Sequence, residues 1–212
     1  MKPVILITND DGIQSPGLLA MAEAVKDIGE LLVIAPRFQQ TSMGRAFPRV
    51  DRLGSIEKVE LKLSDRQLVG YSIVGSPAYA AAHGILELAL VKPTLCLSGI
   101  NYGENMGTNL TCSGTVGAVL EADTHKVPGI AFSIPADIEI QRSMQYADAD
   151  WRFSQKVVRY WTEKVLQEGM KLGSSMLNIN IPEGCLEVSN YRYTRQSKQN
   201  FFDFRKPPVR GL

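Results

Sequence analysis

Residues 4–12 read V-I-L-I-T-N-D-D-G, four consecutive apolar residues followed at once by a polar run. A continuous apolar run, rather than an alternating one, is typical of a strand that is covered on both faces in a parallel sheet. Ser15 and Pro16 then supply a helix cap and a first helical residue, and residues 31–35 form a second buried run that ends at Pro36. A strand, a helix and a strand in this order predict a right-handed βαβ unit and a parallel sheet.

The rest of the chain continues this alternation with one interruption. Between residues 46 and 73, apolar residues alternate with charged ones, as at 59–63, which predicts antiparallel strands and hence a β-hairpin insertion. Further helices are predicted over about 75–89, 113–122 and 148–170, and further strands over 94–97, 130–134 and 176–181. Because no repeat or linker-like stretch divides residues 1–212, we expect a single α/β domain with a doubly wound, mostly parallel sheet.

The composition is that of an ordinary globular domain, since 44% of the 212 residues are hydrophobic and 21% are charged. A formal net charge of +1 excludes bulk electrostatic binding to a nucleic-acid duplex or to an anionic membrane. No apolar run approaches the ~20 residues that span a bilayer, and no export signal is visible, so we expect a cytoplasmic protein. Cys96, Cys112 and Cys185 include no C-x-x-C pair, which argues against a disulfide framework and a thiolate zinc site and predicts buried thiols.

Several common enzyme signatures are missing from the sequence. It contains no G-x-G-x-x-G after the first strand, no P-loop and no G-x-S-x-G nucleophile elbow. His83 and His125 are the two candidates for the base of a catalytic triad, but their positions within and at the end of predicted helices favour packing and helix-end roles. A response-regulator receiver would need an Asp at the end of a later strand, where this chain has Ser98.

The first candidate site is the acidic loop after the first strand. In doubly wound sheets ligands bind beyond the carboxyl ends of the strands, which directs the search to residues 8–15, 36–45 and 98–114. Asp10 and Asp11 are adjacent carboxylates that repel one another unless a cation or strong donors lie nearby, and oxygen ligands suit both Mg²⁺ and Mn²⁺. A simple turn is the alternative for N-D-D-G. In the second loop, Thr41 or Ser42 could add a hydroxyl ligand, although an exposed polar loop is the simpler interpretation.

The third loop has the chemistry of a phosphate site. It runs S-G-I-N-Y-G-E-N-M-G over residues 98–107 and is followed by S-G-T-V-G at 113–117, which opens a predicted helix. Ser and Thr hydroxyls together with the free N–H groups of a helix N-terminus favour an anion. An ordinary Ser cap with tolerated glycines is the alternative, and the neighbouring acidic loop favours the phosphate site.

These stretches resemble the signature blocks of the SurE survival-protein family of 5'-nucleotidases, in the family's order. The matching blocks are T-N-D-D-G-I at 8–13, G-S-P-A at 75–78, S-G-I-N-x-G-x-N-x-G at 98–107, S-G-T-V-G at 113–117, L-N-I-N-I-P at 177–182 and T-R-Q-S at 194–197. The resemblance covers nearly the whole chain. It implies a Rossmann-like, three-layer α/β/α phosphatase that hydrolyses nucleoside 5'-monophosphates by in-line attack of a metal-activated water.

The resemblance also implies which residues carry the chemistry. A single divalent cation per subunit, Mg²⁺ or Mn²⁺, would be held by Asp10, Asp11, Thr41 and Asn101, with Asp10 and Asn101 as catalytic groups. The family's serine ligand lies five residues after a Pro and three before a Gly, and both counts give Thr41, although Ser42 stands next to it. The groups implied around the substrate phosphate are Asn9, Asn105, Ser113, Gly114 and Thr115.

The family's C-terminal region suggests how subunits would assemble. Family members typically continue beyond T-R-Q-S into an extended arm used between subunits, which implies a homodimer or tetramer. We interpret residues 198–212 as a polar, basic tail and as a truncated swap arm, so the chain is either a shortened member or part of a longer protein.

The rival function is a non-catalytic nucleotide or phosphate sensor that uses the same anion site. Hydrolysis of nucleotide 3'-phosphates or short polyphosphate is also left open by the resemblance.

Overall fold

A seven-stranded sheet forms the centre of the molecule. The computed structural model describes residues 2–141, 143, 145–171 and 173–202. Along the chain the strands and helices are β1 Val4–Thr8, α1 Pro16–Val25, β2 Glu30–Pro36, β3 Ile56–Lys62, β4 Gln67–Ile73, α2 Pro77–His83, β5 Leu95–Tyr102, α3 Gly114–Thr124, β6 Gly129–Ile134, α4 Ile138–Gln141, α5 Arg152–Glu168 and β7 Met176–Asn180. A π-helical turn, Gly84–Leu88, extends α2, and a 3₁₀ helix, Gly107–Cys112, precedes α3.

The strand order is β3-β4-β2-β1-β5-β6-β7, and every pairing is parallel except that of β3 with β4. The predicted parallel sheet with a β-hairpin insertion is therefore confirmed. From β1 the chain moves outward first to β2 and later, on the other side, to β5. The crevice between the ends of β1 and β5 is thus the topological switch point of the sheet, where α/β proteins bind their ligands.

Helices cover both faces of the sheet and make it the middle of three layers. The side chains of β1 alternate between two apolar cores because successive residues of a strand point to opposite faces. Ile5 and Ile7 pack in the core formed with α1 and α5, whereas Leu6 packs in the core formed with α2 and α3. This arrangement confirms the predicted α/β/α architecture, and burial on both faces explains why the first strand reads as a continuous apolar run.

The predicted helix over 75–89 is correct in place but changes its winding near the end. Ser76 caps α2 by accepting a hydrogen bond from the backbone N–H of Tyr79, at 3.1 Å. At Gly84 a β-carbon would lie 2.8 Å from a methyl group of Leu6 and 2.9 Å from one of Ile34, so any larger residue would force these buried side chains to shift. The helix then continues as the π-helical turn to Leu88.

Of the polar tail predicted over 198–212, residues 203–212 lie outside the described residues. Residues 196–202 run alongside the 3₁₀ helix, where Thr108 N–H donates to the Gln199 carbonyl at 3.0 Å.

Among the helices that the structure describes, none has the length and apolar character needed to cross a membrane.

The prediction that all three thiols are buried is wrong for two of them. Cys96 is fully buried on β5, whereas Cys112 is exposed at the end of the 3₁₀ helix and Cys185 is half-buried in the segment after β7. Cys112 and Cys185 lie outside the strands and α-helices that form the cores, so composition alone could not predict their exposure. Burial raises the pKa of the Cys96 thiol to about 12 and keeps it in the unreactive neutral form.

We expect iodoacetamide to alkylate Cys112 and Cys185 in the native protein at about pH 8, and Cys96 only after denaturation. Intact-mass spectrometry before and after addition of guanidinium chloride measures the number of adducts. A Cys112→Ser variant should lose one native adduct and keep the late one. Rapid alkylation of Cys96 in the folded chain would contradict the buried position of β5.

Candidate functional site

The polar loops at the carboxyl ends of β1, β2 and β5 meet in one small cleft. Thr8, the last residue of β1, pairs with Ser98, and β5 continues beyond that pair to Tyr102, so Asn101 lies just past the end of β1. The cleft encloses about 70 Å³. Its lining residues are Asp10, Asp11, Thr41, Ser42, Asn101, Tyr102, Gly103, Glu104, Asn105, Asn109, Cys112, Ser113, Gln141 and Phe202.

Six of the nine predicted site residues line this cleft, and three do not. The six are Asp10, Asp11, Thr41, Asn101, Asn105 and Ser113. Asn9, Gly114 and Thr115 lie behind Asp10 and shape its surroundings instead.

Asn9 holds the acidic loop in its shape. Its fully buried side-chain amide makes two hydrogen bonds to Gly12, donating from Nδ2 to the Gly12 carbonyl and accepting from the Gly12 N–H at Oδ1, each at 3.1 Å. Gly12 has a φ of +103°, a backbone conformation that L side chains rarely adopt. The loop therefore makes a sharp turn directly after Asp10 and Asp11.

The Asp10 carboxylate is buried against the first turn of α3. The Thr115 hydroxyl donates to Asp10 Oδ1 at 2.6 Å, and the backbone N–H groups of Gly114 and Asp10 also donate to the carboxylate. A β-carbon on Gly114 would lie 2.7 Å from Asp10 Cβ, so the missing side chain makes room for the acid. Burial raises the pKa of Asp10 to about 6, and these hydrogen bonds only partly oppose the shift.

Asp11 lies in a still less favourable environment for a charge. Burial and then the neighbouring charge of Asp10 raise the pKa of Asp11 well above its ordinary value, although Gln39 and the Tyr102 N–H donate to it. Its Oδ2 is buried and has no hydrogen-bond partner within the described residues. Because a buried carboxylate oxygen needs a partner, this orphaned atom is evidence that the pair fits a cation.

The neutral groups around the two carboxylates are also oxygen donors. Asn101 Nδ2 donates to the Gly103 carbonyl at 2.7 Å, which fixes the amide and leaves its oxygen as the atom not used in that bond. Thr41 and Ser42 lie at the tip of a turn that is attached to the acidic loop, because Gln40 N–H donates to the Asp10 carbonyl at 2.7 Å. The described residues include no group of three or more His, Cys, Asp or Glu suited to a metal, so a cation here would have two carboxylates and neutral oxygens as ligands.

Ser113, Asn105 and the N-terminus of α3 complete the polar lining of the cleft. The Ser113 hydroxyl caps α3 by accepting a hydrogen bond from Val116 N–H at 3.1 Å, and the helix begins at Gly114. Asn105 is held by the edge of the sheet: its N–H donates to Asn180 Oδ1 at 2.9 Å, and its Nδ2 donates to the Ser133 hydroxyl at 2.7 Å. The acidic pair thus lies beside a helix N-terminus in one small cleft, and a helix N-terminus favours a negatively charged group.

The sequence and the fold both match known proteins. The model of the family described as "Survival protein SurE" matches residues 5–203. This chain belongs to the SurE family. It is 37% identical to a 5'-nucleotidase SurE from Methanocella arvoryzae, over 93% of this chain and 73% of that protein, and 36% identical to one from Christiangramia forsetii, over 98% and 77%. The crystal structure of the SurE protein from Aquifex aeolicus superimposes with a TM-score of 0.71 at 33% identity, covering 92% of this chain and 73% of that one.

Several residues of this SurE-family site were not predicted from the sequence. Gln141 and Phe202 come to the cleft from segments far along the chain, and the Tyr146 hydroxyl donates to the Asp11 carbonyl at 3.2 Å. Asn109 lines the rim and accepts hydrogen bonds from the N–H groups of Phe201 and Phe202, at 2.8 and 3.2 Å. None of these residues lies in a strand-end motif. The sequence signal for Phe202 was its position soon after the T-R-Q-S block.

We expect Asp10→Asn to raise the melting temperature of the metal-free protein at about pH 8 by several degrees. The folded-state pKa of Asp10, about 6, lies above the ordinary value of 3.8, so its contribution to stability is present below the ordinary value and is lost as the pH rises through about 6. The amide removes both this cost and the repulsion of Asp11.

Thermal unfolding in EDTA measures the effect, with the exposed Asp51→Asn as the matched control. The difference between Asp10→Asn and the unsubstituted chain should shrink at about pH 5, where a growing share of Asp10 is protonated. Equal melting temperatures of the two proteins at the higher pH would contradict the account of a strained carboxylate pair.

Proposed function

We propose that this chain is a metal-dependent 5'-nucleotidase that hydrolyses nucleoside 5'-monophosphates to a nucleoside and phosphate. The observation that carries the proposal is the pair of buried carboxylates, one with an orphaned oxygen, which lies beside the N-terminus of α3 in a single cleft. The names of the relatives, 5'-nucleotidase SurE, support the same reaction. The cation itself is inferred from the buried carboxylates of the site.

The cation would be held by Asp10, Asp11, Asn101 and a hydroxyl of the turn at 41–42. We assign Thr41 as that hydroxyl ligand, following the spacing of the family's serine. The site would hold one ion per subunit, Mg²⁺ or Mn²⁺, because oxygen ligands suit both. When bound, such an ion neutralises phosphate charge and makes water more acidic. Its positive charge would also favour the ionised forms of Asp10 and Asp11, which burial alone disfavours.

The chain's own groups would orient the reacting phosphate and water. The Ser113 hydroxyl, at the positive N-terminal end of α3, would hold a phosphate oxygen, with the Asn105 side chain on the adjoining wall. Asp10 would accept a proton from the attacking water, since its carboxylate lies against the first turn of α3, next to the proposed phosphate site. The assembly of subunits into a dimer or tetramer is proposed from the family resemblance.

We expect the purified protein to release phosphate from nucleoside 5'-monophosphates. Phosphate release should stop when EDTA is added and resume when Mg²⁺ or Mn²⁺ is restored. Asp10→Asn should lower kcat by at least about 100-fold, because it removes both a cation ligand and the proton acceptor. Asp51→Asn, which changes an exposed Asp in the same chemical way, should keep full activity. A folded protein that binds nucleotides but releases no phosphate with either metal would overturn the proposal and favour the sensor.

Thr115 should act through Asp10. Thr115→Val removes the hydroxyl that donates to Asp10 Oδ1 at nearly constant volume, and we expect about 10- to 100-fold weaker binding of Mn²⁺, the range seen when a partner of a metal ligand is lost. Thr115→Ser retains the hydroxyl and should retain most of the affinity. Titration calorimetry with the metal alone measures both variants. Equal Mn²⁺ affinity in Thr115→Val and the unsubstituted protein would rule out this positioning role.

A further inference from the structure

A second and larger cavity lies beside the catalytic cleft. It encloses about 260 Å³, compared with about 70 Å³ for the cleft, and opens at the carboxyl ends of β2 and β4. Its lining residues are Arg37, Phe38, Gln40, Met43, Pro48, Val50, Ile73, Val74 and Gly75. None of these was among the predicted site residues, and the reaction proposed above uses none of them.

The two cavities share a wall. Residues 37–43 contribute Thr41 and Ser42 to the cleft, and they contribute Gln40 and Met43 to the larger cavity. Gln40 N–H donates to the Asp10 carbonyl at 2.7 Å, which attaches this segment to the acidic loop. Because β2 lies between β1 and β4, and neighbouring strands are about 4.8 Å apart, the cavity begins within about 10 Å of the end of β1.

The chemistry of the larger cavity suits a flat heteroaromatic ring. Phe38 leaves 64% of its surface exposed although it lines the cavity, and Met43, Val50 and Ile73 add further apolar surface. Arg37 is the cation of the lining: its Nη2 lies 2.7 Å from Glu57 Oε1, and its buried Nε has no hydrogen-bond partner within the described residues. A nucleobase offers a π-face to an aromatic ring and exocyclic oxygens or ring nitrogens to an arginine. A phosphate would match only the arginine, and a ribose offers no π-face to Phe38.

We propose that this cavity is the nucleobase subsite of the substrate, with Phe38 as the stacking residue. The inference rests on the proposed function, since it assumes a nucleotide whose phosphate occupies the cleft. The ribose would then cross the turn at residues 40–43. Phe38 is thereby a specificity-determining residue for which the sequence gives no motif, because it is recognised only from its exposure and from the cavity beside it.

The test compares substrates with and without a base. Phe38→Ala should lower kcat/KM for nucleoside 5'-monophosphates about tenfold and leave kcat/KM for ribose 5-phosphate unchanged, because base–aromatic stacking is lost only for the nucleotides. In the same variant, the inhibition constant of the free nucleoside should rise about tenfold while that of inorganic phosphate stays constant. Phe38→Trp should retain the discrimination.

Two further variants make the test specific. Val50→Trp should fill the cavity and reproduce the loss for nucleotides, since Val50 lines it and is itself partly exposed. Phe47→Ala removes another exposed phenylalanine, which contacts Tyr79 edge-on and does not line the cavity, and it should change neither substrate. These controls separate base recognition from a general loss of exposed apolar surface.

The outcomes separate this inference from the proposed function. If the unsubstituted protein releases phosphate from no nucleotide, the proposed function itself fails. If it hydrolyses nucleotides but Phe38→Ala and Val50→Trp leave nucleoside inhibition unchanged, or weaken phosphate inhibition equally, the base subsite is refuted and the function stands. A base-selective loss in Phe202→Ala alone would place the base over the cleft, where Phe202 lies, and would equally refute it.

Discussion

Two adjacent carboxylates, Asp10 and Asp11, are buried at the end of the central strand, and much of the surrounding structure serves to keep them there. Burial raises the pKa of both groups, and the charge of Asp10 adds to the shift of Asp11. Such a pair is unfavourable, so the backbone must prevent its side chains from turning toward water. Asn9 provides that restraint through its two hydrogen bonds to Gly12, and the parallel pairing of β1 with β2 and β5 fixes the strand that leads into the loop.

The segment after β2 is held on two sides, which explains how it can present hydroxyls to the cleft without being part of a helix or strand. On one side Gln40 is bonded to the Asp10 carbonyl. On the other, Gly44 N–H donates to the Cys112 carbonyl at 2.9 Å, and a β-carbon on Gly117 would lie 2.2 Å from the Gly44 carbonyl oxygen, so α3 approaches the segment directly. Arg45 closes this attachment by donating to the buried carboxylate of Glu121 at 2.7 Å. The acidic loop, the turn at residues 41–42 and helix α3 therefore form one connected unit.

The fold and part of the site could be predicted from the sequence because both depend on local patterns. The continuous apolar runs predicted the parallel strands, and the alternating segment predicted the hairpin. The topology of that sheet then placed Asp10, Asp11 and Asn101 at neighbouring strand ends. Residue type alone could not show that the Thr115 hydroxyl donates to Asp10, or that the Asn9 amide bonds to Gly12, since both residues also suit a phosphate. Phe202 and Tyr146 reach the site through the paths of irregular segments. Those paths are set by tertiary contacts, such as the hydrogen bonds of Asn109, which no local pattern reports.

The electrostatic cost of the acidic pair has a consequence for how the fold and its cation depend on each other. A ligand that binds only the folded state stabilises it by mass action, and it does so most where the empty site holds unfavourable charges. The hydrogen bonds to Asp10 from Thr115 and from the Gly114 N–H lower the pKa of the carboxyl, but they do not reach Asp11 Oδ2. The two carboxylates are thus unequally prepared: Asp10 is held in place by the protein, whereas Asp11 keeps one oxygen without a partner. A cation would satisfy the oxygen that the protein does not, which links the unfavourable burial of the acidic pair directly to the affinity of its site.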